Sequence, residues 1–163
     1  MEITDPLDIY AFHLGGVWGR LMSLEVLLRI VISGGNFKAP LDVSVGDEVD
    51  QSGINRWAYL SQLIPQYNEK VSGSHPECVI ADDDIVVLRN GLAHGIAISI
   101  SPSPPLRLIK FGSPNVATGK VKVDFVADMT DEWLEHQQRL VQKAIEAALA
   151  YIKSTALGQS QNP

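Results

Sequence analysis

Apolar residues near the N-terminus recur at steps of three and four, the spacing of one face of an α-helix. The series comprises Leu7, Tyr10, Leu14, Val17, Trp18, Leu21, Leu24, Leu28 and Val31. It predicts a first helix over about residues 5–33, with Asp5 and Pro6 at its start and Gly34-Gly35 at its end. Gly15, Gly16 and Gly19 lie inside this helix. Either another helix approaches closely there, or the glycines simply weaken the helix.

Three more helices are predicted along the chain. The second covers about residues 54–71, and Pro65 should kink it or divide it in two. The third begins near Asp82 and ends at His94, with Gly95 as its stop. The last helix runs from Thr130, as N-cap, to about Ser154. Residues 34–53, between the first and second helices, are expected to form a surface loop.

Between the last two helices the period of the apolar pattern changes to two. Ile96, Ile98 and Ile100 alternate with small or polar residues, as in a β-strand. Residues 106–111 and 120–126 continue this pattern, and turns are expected at 102–105 and 112–119. We therefore expect a small antiparallel meander over about residues 96–126.

Together these elements predict a mainly α fold: a bundle of four to five helices with a β meander inserted before the last helix. Residues 1–157 are expected to form a single domain, followed by a polar tail over 158–163. The length of 163 residues suits one domain with a core of its own.

Composition excludes several classes of protein. One cysteine, Cys78, cannot form an internal disulfide framework, and the histidines and cysteine show no zinc spacing. The net charge of −6 argues against a broad basic groove for nucleic acid. The most apolar stretch, residues 17–32, is interrupted by charges, and the acidic N-terminus does not resemble a signal peptide. We expect a cytoplasmic protein without a membrane segment.

One polar cluster stands out on the third helix. Asn90 and His94 lie one turn apart, and Arg89 lies at the edge of the apolar stripe formed by Ile85, Leu88 and Leu92. The residues three and four positions from Arg89 are all apolar, so no carboxylate of its own helix can pair with it. An anionic partner must come from another helix, a second subunit or a phosphate. A second chain crossing at Gly91 would also explain a glycine in mid-helix.

The sequence Arg89-Asn90-Gly91-Leu92-Ala93-His94-Gly95 resembles the Arg-Asn-x-x-x-His motif of the HEPN superfamily, the higher eukaryotes and prokaryotes nucleotide-binding domains. The order of helices is similar to that superfamily over most of the chain. The β meander departs from the plain four-helix form.

The resemblance implies a homodimer whose two motif helices face a shared cleft, often with metal-independent endoribonuclease activity and no cofactor. It implies an RNA or nucleotide ligand, a toxin or defence role, and an antitoxin protein as partner. Imidazoles titrate near neutral pH and suit proton transfer, and a guanidinium can clamp a phosphate. His94 would then be the acid or base, Arg89 would bind the phosphate, and Asn90 would orient either.

Structural interpretations of the same residues remain open. His94 is favourable at a helix C-terminus simply as a cation. Arg89 can reach Glu25 of the first helix as an ion pair, which would bring Glu25 to the substrate-binding site. Glu25 can instead form a solvated pair with Arg29, one turn away. The alternative function is a catalytically inactive module that dimerises or binds a nucleotide or protein.

Overall fold

The computed structural model describes residues 6–34, 44–45, 48, 58–81, 83–99 and 105–159. These residues form helices α1 (Pro6–Ile32), α2 (Leu60–Val71), α3 (Asp83–His94) and α4 (Asp131–Gln159), and strands β1 (Ile96–Ser99), β2 (Leu106–Asn115) and β3 (Lys120–Asp128). A short 3-10 helix covers Pro76–Cys78. The mainly helical class with a three-stranded sheet before the last helix is therefore confirmed. The predicted cap at Asp5, most of the loop at 34–53 and the turn residues 102–104 lie outside the described residues.

The chain divides into two compact units. Residues 1–21 and 83–142 form one, which contains the sheet and is called the mixed unit. Residues 22–82 and 143–163 form the other, which is called the helical unit. Helices α1 and α4 each contribute one part to each unit. Within the described chain, no helix has the length and apolar character that crossing a membrane requires.

The sheet of the mixed unit is antiparallel in the order β1-β2-β3. One face packs on α3, with Leu108 buried, while Ile96 and Ile98 of β1 are exposed on the other face. Strand β2 continues to Asn115, so the predicted turn at 112–119 shortens to 116–119. The Asn115 side chain causes this by accepting hydrogen bonds from the N–H groups of Ala117 and Thr118.

The last helix begins as predicted. Thr130 Oγ1 accepts a hydrogen bond from the N–H of Trp133 at 3.2 Å, which is the expected N-cap contact. Residues at steps of three and four are then buried along α4: Leu134, Gln137, Val141, Ala144, Ile145 and Ala148. The helix continues to Gln159, beyond the predicted end near Ser154, and so includes Gly158 and Gln159 of the predicted tail.

Two predicted core positions of α1 are wrong. Leu7 is 51% exposed and Trp18 is 39% exposed, whereas Tyr10, Val17 and Leu21 are buried as expected. The predicted apolar stripe is wider than the face that is buried, because Leu7 and Trp18 lie at the margin of this stripe on the helix. Most of the predicted stripe is therefore correct.

The glycines of α1 differ in their surroundings. A Cβ at Gly16 would lie 3.2 Å from Gln138 Nε2, and this same nitrogen donates to the carbonyl of His13 at 3.1 Å. Close approach is thus confirmed at Gly16, where the neighbour is a side chain of α4. Gly15 and Gly19 have no such neighbour within 4 Å among the described residues.

Helix α2 of the helical unit is continuous through Pro65, so the predicted division is wrong. Pro65 is exposed, and its missing N–H would have bonded only to the exposed first turn of the helix. The other side of α2 is buried and includes Leu63, Ile64 and Tyr67. The Tyr67 hydroxyl donates to the carbonyl of Cys78 at 3.0 Å.

Candidate functional site

The three motif residues lie on the C-terminal half of α3, away from the sheet. Leu88 and Gly91 are buried on the sheet side of the helix. Arg89 and Asn90 are half-buried, and His94 is exposed. Asn90 and His94 are four residues apart on a regular helix, so their side chains are neighbours on one face. The imidazole of His94 is therefore open to solvent beside the Asn90 amide.

A one-residue junction at Gly95 joins the end of α3, which carries His94, to strand β1. The N–H of Gly95 donates to the carbonyl of Gly91 at 2.8 Å, which closes the last turn. Strand β1 starts at the next residue, where Ile96 pairs with Ile109. A Cβ at position 95 would lie only 2.7 Å from Leu108 Cδ1. Glycine is thus required here by the close approach of β2, and it ends the helix where the sequence predicted.

Glycine at position 91 is explained in a similar way. A Cβ at this position would lie 3.0 Å from both Cδ1 and Cε1 of Phe125, and 3.6 Å from Leu108 Cδ2. The backbone of α3 is therefore covered by strands of the same chain. The expectation of a second chain crossing at Gly91 is wrong, because the Phe125 ring already fills that space.

Arg89 already takes part in an interaction within its own chain. The sequence excluded only partners three and four residues away on α3, and tertiary contacts lie beyond that rule. A phosphate at Arg89 would therefore be added to, or would replace, an existing contact.

Glu25 belongs to the helical unit. Its Oε2 lies 3.9 Å from Nη2 of Arg29, which also donates to the carbonyl of Ala58 at 2.9 Å. The predicted pair between Glu25 and Arg29 is thus present. It is not solvated, because the two side chains are only 15% and 14% exposed. The substrate-binding role of Glu25 stays a prediction.

The remaining candidates are structural. Cys78 is buried, and burial raises the pKa of its thiol, which disfavours a nucleophilic thiolate. Lys110 Nζ pairs with Asp124 Oδ2 at 3.2 Å across the sheet. Asp83 and Asp84 are exposed in the first turn of α3. Within the described ranges, no group of three or more His, Cys, Asp or Glu residues could hold a metal ion.

Sequence reasoning missed a cleft in the mixed unit. Asp84 and Leu88 of α3, Phe125 of β3, and Trp133, His136 and Gln137 of α4 line a cavity of about 200 Å³. The sequence carried one signal for it. Gln137 lies three residues after Leu134 and four before Val141, so a polar amide interrupts the buried stripe of α4.

Comparisons of the chain with protein families, with curated proteins and with solved structures found no match. The candidate sites must therefore be interpreted from their own residues and geometry.

Proposed function

We propose that this protein is a HEPN-like, metal-independent endoribonuclease that acts as a homodimer. The observation that supports it is the exposed His94 beside the half-buried Asn90 and Arg89 on α3. A toxin or defence effector restrained by an antitoxin protein would suit such an activity.

The proposed reaction is cleavage of RNA by its own 2′-hydroxyl. His94 takes the proton of this hydroxyl, and the 2′-oxygen attacks the adjacent phosphorus. The bond from phosphorus to the 5′-oxygen breaks, and this oxygen takes a proton from the protonated His94 of a second copy. Arg89 stabilises the charge that builds on the phosphate oxygens. The products are a 2′,3′-cyclic phosphate and a 5′-hydroxyl.

Surface chemistry of α1 supports the homodimer. Phe12 is 67% exposed and Trp18 is 39% exposed, next to Gly15 and Gly19. Large apolar side chains beside small residues on an exposed helix face suit packing against another helix. The proposed occupant is a second copy of the chain, whose His94 supplies the acid while the first His94 supplies the base. Sedimentation should show a dimer that Phe12→Glu dissociates, whereas Val121→Glu on the exposed sheet does not.

A second function, an inactive dimerising or ligand-binding module, is favoured by one observation. Arg89 already has an interaction inside the protein, and such a contact can serve structure alone. In that case Arg89→Ala would lower stability without changing any RNA product.

Cleavage of a broad RNA panel in EDTA tests the main proposal. The wild type should leave 2′,3′-cyclic ends, and His94→Ala should lower the rate by about 10²–10⁴-fold, the range for loss of a general acid or base. His75→Ala, in a turn of the helical unit, is the matched control and should cleave as the wild type does. Cleavage that survives in His94→Ala, or none across the panel, would overturn the nuclease.

A further inference from the structure

We infer that the cleft between α3, β3 and α4 binds a guanine base. The cleft, defined above by Asp84, Leu88, Phe125, Trp133, His136 and Gln137, lies wholly in the mixed unit. Its use in reading RNA rests on the proposed nuclease function, whereas binding of a free guanine nucleoside does not.

Gln137 indicates that this cleft has a ligand. Its side chain is 9% exposed, yet its amide has no hydrogen-bond partner among the residues that the structure describes. Gln137 lines the cavity, so a ligand that enters the cavity can form hydrogen bonds with its amide.

The size and the walls of the cleft suit a single flat ring system. About 200 Å³ is below the roughly 300–1,000 Å³ of sites for drug-sized ligands. Phe125 and Trp133 are half-buried in the lining, and each offers part of an aromatic surface. Stacking on such side chains contributes roughly 1–3 kcal/mol per nucleobase.

The charge of the lining selects among ring ligands. Asp84 is an exposed carboxylate in the first turn of α3, and it repels a phosphate in the cleft. An ionised carboxylate only accepts hydrogen bonds, and it can accept two in parallel. Guanine alone among the RNA bases presents two adjacent N–H donors, at N1 and N2. Its O6 can then accept from the Gln137 amide.

The position of the cleft fits a role in reading RNA near the proposed cleavage site. Asp84 and His94 are ten residues apart on α3, which is about 15 Å along the helix axis. An RNA strand covers this span within a few nucleotides. A guanine in the cleft would therefore fix which phosphate reaches His94.

Nucleoside titrations test the inference without any cleavage. Guanosine, inosine and adenosine are titrated into ¹⁵N-labelled protein, and affinity is measured by calorimetry. Guanosine should shift the NMR signals of the Trp133 indole and the Gln137 side-chain amide. These signals are assigned by their absence from the spectra of Trp133→Phe and Gln137→Leu. Inosine, which lacks the N2 amino group, should bind more weakly than guanosine, and adenosine weakest of the three.

Two substitutions and one matched control complete the test. Asp84→Asn should weaken guanosine binding by about tenfold or more, and Gln137→Leu by about three- to tenfold. Asp83→Asn changes the neighbouring acid outside the cleft and should bind as the wild type does. Binding that is unchanged in Asp84→Asn and Gln137→Leu, or the absence of guanosine binding, would overturn the inference.

The same titration on His94→Ala separates the two proposals. Guanosine should bind this variant normally, since His94 lies outside the cleft. If the wild type binds guanosine but cleaves no RNA, the proposed nuclease function is overturned and the proposed guanine site is retained. Cleavage of RNA without guanosine binding would do the reverse.

Discussion

The two units differ at three polar side chains that are buried or half-buried: Asn68 in the helical unit, and Tyr10 and Gln137 in the mixed unit. In the helical unit, Asn68 Oδ1 accepts from the N–H of Ile80 at 2.9 Å and its Nδ2 donates to the Ile80 carbonyl at 2.8 Å. In the mixed unit, the hydroxyl of buried Tyr10 has no partner among the described residues, and neither has the Gln137 amide. Satisfied buried groups hold a fold together, whereas open ones cost stability and point to binding. The comparison places structure in the helical unit and the candidate chemistry in the mixed unit.

The largest loss of stability is expected when the Asn68 hydrogen bonds are removed. Asn68→Ala removes both hydrogen bonds and leaves the N–H and C=O of buried Ile80 without partners. The free energy of unfolding should fall by about 2–4 kcal/mol, as for unsatisfied buried groups. Urea denaturation measures this, with Glu69→Ala on the exposed side of the same helix as control. A loss no greater than that of the control would contradict the role given to Asn68.

Substitution of Gly91 tests how tightly α3 packs on β3 in the mixed unit, at a contact that involves no polar group. Gly91→Val would push against the Phe125 ring, and overpacking of this kind costs about 1–3 kcal/mol. Ala93→Val adds the same side chain at an exposed position of α3 and should cost less than about 1 kcal/mol. Thermal unfolding of the pair gives the difference. Equal losses would mean that α3 does not pack on β3 as described.

Two identical substitutions should have opposite signs in the two units. Tyr67→Phe leaves the Cys78 carbonyl without its donor and should lower the free energy of unfolding by about 1 kcal/mol. Tyr10→Phe removes a hydroxyl that has no partner in the described chain, and should raise it by up to about 1 kcal/mol. Burial raises the pKa of Tyr10 to about 12, in keeping with an apolar site. Chemical denaturation of both variants checks the signs, and matching signs would remove the contrast.

The smallest effect concerns an exposed pair at the end of the sheet. Arg107 donates to Asp128 through Nε at 2.6 Å and Nη2 at 2.9 Å, and these bonds hold the pKa of the Asp128 carboxyl below its ordinary value. The stabilisation is therefore present above the ordinary carboxyl pKa and is lost as pH falls through the lowered one. Asp128→Asn should unfold at a slightly lower temperature than the wild type near pH 7, and the difference should vanish in acid. A difference that persists in acid would show that the charge is not the cause.

Local signals in the sequence predicted most of the elements and part of the site. Apolar periodicity gave α1, α3 and α4, and the Thr130 cap and Gly95 stop gave two of their ends. Those signals act within a few residues, so a single sequence reveals them. They also placed His94, Asn90 and Arg89 together on one helix.

Contacts between distant parts of the chain could not be predicted in this way. The fit of Phe125 on Gly91 joins residues of β3 and α3, and no local rule relates them. The internal interaction of Arg89 and the exposure of Trp18 depend on tertiary packing in the same manner. Gln137 was visible as a polar residue in an apolar stripe, but its cavity depends on three elements at once.

The junction between α3 and β1 limits where the chain can accept an inserted residue. Only Gly95 separates the last residue of the helix from the first of the strand. Successive strand residues point to opposite faces, so one added residue would turn Ile96 and Ile98 inward and Ala97 outward. Insertions at this point should be rejected in a mutational scan, whereas the hairpin turn at residues 116–119 should accept them.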